Sequence, residues 1–167
     1  MIQVYTGAGK GKTTAALGLA LRAAGAGLKV YIGQFIKGRP YSEIKALKKL
    51  KNIKIEQYGR GCFIGHKADT KDIILAKCGL NKAIRAISSR KYDVVILDEI
   101  NVALHYKLLN LKEVTSLIKQ TPKTTELVLT GRYAHPQVIK LADLVSHIRE
   151  IKHYYKKGVK ARKGIEA

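Results

Sequence analysis

The chain has 167 residues, 46% of them hydrophobic, and carries 32 Lys and Arg against 12 Asp and Glu, a net charge of +20. That length supports one domain with a substantial core, and no apolar run reaches the length of a membrane span. Cys62 and Cys78 have no C-x-x-C partners and no metal-ligand spacing, which argues against a disulfide framework or a zinc site.

The first strand is expected at Ile2 to Tyr5, with no charged-then-apolar leader before it, and with the unpaired cysteines a reducing cytoplasm is the expected location. Thr6-Gly7-Ala8-Gly9-Lys10-Gly11-Lys12-Thr13-Thr14 follows at once, and an Ala/Leu-rich helix then runs to a Gly25-Ala26-Gly27 stop. A strand, a glycine-rich turn and a helix opening on Gly-Lys-Thr form a phosphate-binding loop, in which backbone N–H groups and the helix N-terminus surround a polyphosphate. Glycine is expected there because a Cβ would obstruct the approach of backbone to anionic oxygens. Lys12 is expected to reach the terminal phosphates and the Thr13 hydroxyl to ligate Mg²⁺. One departure stands out: Thr6 occupies the position where the usual pattern has its first glycine.

Val30 to Ile36 is the second expected strand, closed by Lys37-Gly38-Arg39-Pro40. Ser42 is expected to cap a helix from Glu43 to about Leu50, and Ile53 to Gln57 alternates as a third strand. Tyr58 to Asp69 then reads as a long loop carrying Cys62, Phe63 and His66, and loops of that length in one domain are usually functional. Thr70 with Asp72 opens a helix whose Ile73, Ala76, Leu80, Ala83, Ile84 and Ile87 share one face. Val94-Val95-Ile96-Leu97 before Asp98-Glu99 marks a strand buried on both faces. Asn110 and Glu113 predict a capped helix over Leu111 to Lys119; a strand over Thr125 to Thr130, a helix over Pro136 to Ala142 and a strand over Leu144 to Ile148 complete the series.

Strands alternating with helices predict an α/β fold, a mainly parallel sheet flanked by helices with phosphate-loop architecture over residues 1–150. Residues 151–167 form a basic tail expected to pack on or near the active site. Ligands in such sheets bind at the carboxyl ends of strands. That rule gathers residues 7–14, Gln34 to Lys37, the 58–69 loop, Asp98-Glu99 and Thr130-Gly131-Arg132 on one edge. Asp98 is expected to hold Mg²⁺ with Thr13, and Glu99 to be either a base that activates water or a further metal partner. Arg132 is placed to bind phosphate oxygens and stabilise a leaving group.

The charge is unevenly spread. No acidic residue precedes Glu43, whereas Lys10, Lys12, Arg22, Lys29, Lys37 and Arg39 do, and Arg149 to Lys163 carries seven positive charges against Glu150 alone. Anionic partners and a generally basic surface both fit, since Lys45, Lys48, Lys49 and Lys51 fall on a solvated helix face. The tyrosines do not cluster on one strand as base-stacking sheets require, so nucleic acid is not the expected partner.

Five blocks in chain order carry a resemblance: Thr6 to Thr14, Gln34-Phe35-Ile36-Lys37-Gly38, Leu97-Asp98-Glu99-Ile100-Asn101, Leu129-Thr130-Gly131-Arg132, and a tail with Lys152-His153, Gly158-Val159-Lys160-Ala161 and Gly164-Ile165-Glu166. Together they resemble the ATP:corrinoid adenosyltransferases of the phosphate-loop type. The resemblance implies ATP and a reduced corrinoid, cob(I)alamin or cobyrinic acid diamide, as substrates. It implies that Co(I) attacks the 5′ carbon of ATP and expels intact triphosphate, held by residues 6–14 with Mg²⁺ on Thr13 and Asp98 or Glu99. With no proton to remove from Co(I), Glu99 fits a metal partner better than a base. Lys12, Arg132 and Glu99 are the expected catalytic residues, and Phe63, Gln34 and Lys37 the expected corrinoid side. The resemblance also implies a reductase or flavodoxin-like electron donor and a possible homodimer. Ala8 stands where relatives commonly carry asparagine, and the Cys62-Phe63-Ile64 stretch lacks their Phe-x-Trp pair. The chain starts at its first strand, so a lid is expected from the basic tail or a second subunit. The competing expectations are a phosphate-loop ATPase acting on nucleic acid, a small-molecule kinase and a non-catalytic binding module.

Overall fold

In the computed structural model, which describes residues 1–39, 41–61 and 69–166, strands and helices alternate. They are β1 (Ile2–Thr6), α1 (Lys12–Gly25), β2 (Val30–Lys37), α2 (Ser42–Leu47), β3 (Ile53–Gly61), α3 (Thr70–Ser88), β4 (Val94–Asp98), α4 (Ile100–His105), α5 (Leu111–Gln120), β5 (Glu126–Thr130), α6 (Pro136–Lys140) and β6 (Leu144–His147). A 3-10 turn, Tyr154–Lys157, lies in the tail. The strands form one six-stranded sheet in the order β3-β2-β4-β5-β1-β6. Every pairing is parallel, as helical crossovers between strands require.

The aliphatic run of β4 explains the two layers. Val95 and Leu97 pack into a core with α3, α4 and α5, whereas Val94 and Ile96 pack on the opposite face with α1 and α2. All four are buried, and full burial of such a side chain contributes about 1.5–3 kcal/mol. Ala16, Ala20 and Ala23 give α1 a face small enough to lie close to the strands.

Several expectations change. β3 runs on to Gly61 because its ladder with β2 continues past a register shift between Phe35 and Lys37. The expected 58–69 loop is therefore shorter, and its residues 62–68, Phe63 among them, lie outside the described residues. Tyr58, expected to begin that loop, lies instead in β3 and is buried, and its hydroxyl pairs with Tyr31 at 2.7 Å and donates to Glu56 at 2.7 Å. Tyr41, not Ser42, is the N-cap of α2, which ends at Leu47. Asp69 caps α3 and forms a reciprocal capping box with Asp72. The helix α4 has no counterpart among the predicted elements.

Candidate active site

The carboxyl ends of β2 and β5 and the first turn of α1 meet at Asp98, the last residue of β4. This carboxylate is fully buried at the end of β4 and is satisfied from four directions. Its Oδ1 accepts from Thr13 Oγ1 at 2.9 Å and from Thr130 Oγ1 at 2.6 Å. Its Oδ2 accepts from Gln34 Nε2 at 3.0 Å and from Lys37 Nζ at 2.9 Å. A buried carboxylate without partners would be costly, and here β2, β5 and the first turn of α1 supply four hydrogen bonds to it. Gln34 and Lys37, expected on the corrinoid side, thus reach the Thr13 and Asp98 pair. Burial works against the Lys37 ammonium, but the neighbouring carboxylates, Asp98 first and then Glu99, together outweigh it and the pKa is raised.

The loop between β1 and α1 is built against the C-terminal segment. Gly7 has φ 103° and Gly11 φ 117°, conformations that side chains rarely adopt. The Gly9 N–H donates to Ile148 O at 2.8 Å, and a Cβ on Gly7 would sit 2.4 Å from Ile148 O. Gly7 and Gly9 are therefore demanded by the chain after β6, beyond the expected need to admit phosphate. Thr6, at the atypical position, is buried and its Oγ1 accepts from the Ala134 N–H at 3.3 Å, tying β1 to the turn after β5.

Lys12 is buried and curls back on the loop, its Nζ donating to Gly7 O at 2.7 Å and Gly9 O at 2.6 Å. Burial lowers its pKa. Thr13 lies at the first turn of α1 facing Asp98, whereas Ala8 and Thr14 are exposed. Lys10 turns outward, where its Nζ donates to Tyr154 Oη at 2.6 Å and to Glu166 Oε1 at 2.9 Å, linking the loop to the tail.

Glu99 follows Asp98 in a left-handed conformation, φ 61°, as the N-cap of α4, and its N–H donates to Thr130 Oγ1 at 3.0 Å. Burial, and then the Asp98 charge, raise its pKa. Arg132 is exposed on the turn after β5, flanked by Gly131 at φ 128° and Tyr133 at φ 62°. Its charge acts on both Glu99 and Lys12. Phe63 lies outside the described residues.

Sequence reasoning assigned no role to two contributors. Thr130 makes the shortest of the contacts to Asp98, and Gln57 Nε2 donates to Gln34 Oε1 at 3.1 Å, orienting the amide that reaches Asp98. Thr130 stands at the end of β5, and that position was its signal; Gln57 lies in the middle of β3, opposite Gln34. Asn101 on α4 is fully buried, and its Nδ2 and Oδ1 find no hydrogen-bond partner among the described residues.

The donor set can be tested against Mg²⁺. Thr13 Oγ1, Asp98 and Glu99 offer hard oxygen ligands, and the Thr13 and Asp98 pair already accommodates a positive charge in the Lys37 ammonium. Among the described residues no cluster of three or more His, Cys, Asp or Glu could hold a metal ion.

Comparison with known proteins gives the family. The family model described as ATP:corrinoid adenosyltransferase BtuR/CobO/CobP matches residues 1–167. The corrinoid adenosyltransferase of Escherichia coli (strain K12) is 36% identical over 166 residues, covering 99% of this chain and 85% of the relative. Corrinoid adenosyltransferase CobA of Salmonella typhimurium is 35% identical, with 99% and 85% covered. The corrinoid adenosyltransferase of Pseudomonas aeruginosa is 34% identical, with 99% and 83% covered. None of these matches supports the alternative of a nucleic-acid ATPase. Among the described residues no helix is long and apolar enough to cross a membrane. The chain belongs to the ATP:corrinoid adenosyltransferase family.

Proposed function

We propose that the protein transfers the 5′-deoxyadenosyl group of ATP to the Co(I) centre of a reduced corrinoid and releases triphosphate. The observation that carries this reading is the Thr13 to Asp98 hydrogen bond, which joins the phosphate loop to the end of β4 in a chain matched by the family model from end to end.

The electron pair of Co(I) forms the bond to C5′. The C5′–O5′ bond breaks, and its electron pair leaves on the triphosphate. No proton moves, so the chain supplies position and charge rather than a base. Lys12 leaves the Gly7 and Gly9 carbonyls to meet a phosphate oxygen, and the N-terminus of α1 faces the anion with Thr13 at its edge. Arg132 approaches from the turn after β5 and binds the triphosphate. Thr13 and Asp98, with Glu99 beside them, would hold Mg²⁺, which supplies neutralising charge to the triphosphate when bound. Phe63 contacts the corrinoid. A reductase or flavodoxin-like protein supplies the electron that makes Co(I). The tail, linked to the loop through Lys10, closes over the nucleotide.

Incubation with ATP, Mg²⁺ and chemically reduced cobalamin tests the reading. Triphosphate and an alkylated cobalt are expected, formed only when reduced corrinoid is present. ADP and phosphate without a cobalt–carbon bond would overturn it. Lys12→Ala should lower turnover by about two orders of magnitude or more, since loss of a group that neutralises a leaving anion costs about 3 kcal/mol.

A further inference from the structure

We infer that Lys37 is a built-in cation that occupies the magnesium position of the phosphate loop and exchanges for the divalent ion when nucleotide enters. This rests on the reading of residues 6–14 as the triphosphate site. The Thr13 hydroxyl gives its proton to Asp98 Oδ1 and accepts one from Lys37 Nζ at 2.9 Å. The lone pair that a loop threonine offers to Mg²⁺ is thus engaged by an ammonium. The same ammonium lies 2.9 Å from Asp98 Oδ2. One cation therefore bridges the two groups between which the loop holds its metal.

The backbone is shaped to put it there. Residues three apart on a regular strand face opposite sides of the sheet. Gln34 and Lys37 nevertheless both donate to Asp98 Oδ2. An irregularity makes this possible: the register with β3 shifts between Phe35 and Lys37, and Ile36 takes φ 67°, which a β-branched residue rarely adopts. The distortion is locked by a close crossing of backbones. A Cβ on Gly38 would lie 2.1 Å from Gly59 O, and a Cβ on Gly59 would lie 2.2 Å from the Ile36 carbonyl. Bulges that re-aim a side chain are concentrated beside active sites.

The consequence is an order of events. Without nucleotide, Lys37 satisfies the buried Asp98 and the site has little attraction for a divalent ion. The triphosphate brings the metal with it, and the displaced ammonium turns to phosphate oxygens, so that the charge added at the site remains balanced.

Mn²⁺, without nucleotide, is the probe. The wild-type protein should bind it weakly by electron paramagnetic resonance, and Lys37→Met should bind it at least about tenfold more tightly, because Asp98 has lost its counter-charge. Adding Thr13→Val to Lys37→Met should remove that gain. A Lys37→Met affinity within about twofold of the wild type, or a gain that survives Thr13→Val, overturns the exchange. A second measurement needs no variant: the side-chain ammonium resonance of Lys37 in the wild-type chain should move when Mg²⁺ and ATP bind together. An unmoved resonance with nucleotide bound also overturns it. Cobalamin alkylation without the Mn²⁺ gain would sink the exchange and leave the transfer standing, whereas the gain without alkylation would do the reverse.

Discussion

Gly9 and Arg149 lie so close that a Cβ on the glycine would sit 2.7 Å from the arginine carbonyl oxygen. The contact is backbone against backbone, so neither side can turn away. The phosphate loop therefore belongs to the same packed unit as the chain leaving β6, and the Gly9 N–H to Ile148 O bond closes it.

Gly9→Ala should accordingly cost about 1–3 kcal/mol of stability, the range for forcing extra volume into a packed site. Urea denaturation of the nucleotide-free protein measures it. A change under about 0.5 kcal/mol would show that the loop yields and that the glycine serves phosphate approach alone.

The tail should release in acid, and at lower pH than an ordinary carboxylate would allow. Arg162, then Lys10 and Tyr154, hold the Glu166 carboxyl far below its usual range. A depressed carboxylate contributes stability above its unfolded value of about 4.3, and that contribution is lost as pH falls through the lower folded value. Docking should persist through mild acid, and Glu166→Gln should release the tail at neutral pH. Amide resonances of Gly158 and Gly164 report both, and unchanged resonances in the variant would show that Lys10 does not anchor the tail through this carboxylate.

The layout of the sheet was legible because its signals are local. The aliphatics of β4, the spacing in α3 and the Asn110 and Glu113 box of α5 each announce an element through their own neighbours. Helix α4 was not legible: it is six residues long, and its N-cap Glu99 makes no side-chain capping bond. Asp98 and Thr13 could be paired from motif position, but Lys37 could not be placed with them. Period-two alternation sends Lys37 away from Gln34, and only the bulge at Ile36, set by contacts with β3, reverses that. The Lys10 to Glu166 pair spans 156 positions and has no local signal at all.

Asn101 carries two buried polar atoms without partners among the described residues. Leaving such groups unsatisfied costs about 1–3 kcal/mol, more than a near-isosteric apolar side chain would. Asn101→Leu should therefore raise the thermal midpoint. A fall of similar size would show that the amide is satisfied in solution.

Gly79 sets two rules against each other. It lies inside α3, where replacing glycine by alanine ordinarily adds about 1 kcal/mol. Here a Cβ would lie 2.6 Å from Tyr58 Cδ2, 2.7 Å from Tyr58 Cγ and 3.0 Å from Phe35 Cε1. The Tyr58 ring cannot withdraw, because its hydroxyl is fixed by Tyr31 and Glu56 beneath it. Gly79→Ala should therefore destabilise the protein by about 1–3 kcal/mol despite the gain in propensity. The decisive measurement is a double-mutant cycle by urea denaturation. With Tyr58→Ala in place the Cγ and Cδ2 contacts are gone, and the same Gly79→Ala change should cost at least about 1 kcal/mol less than in the wild-type background. If alanine costs the same in both backgrounds, the ring is not what requires glycine at this position.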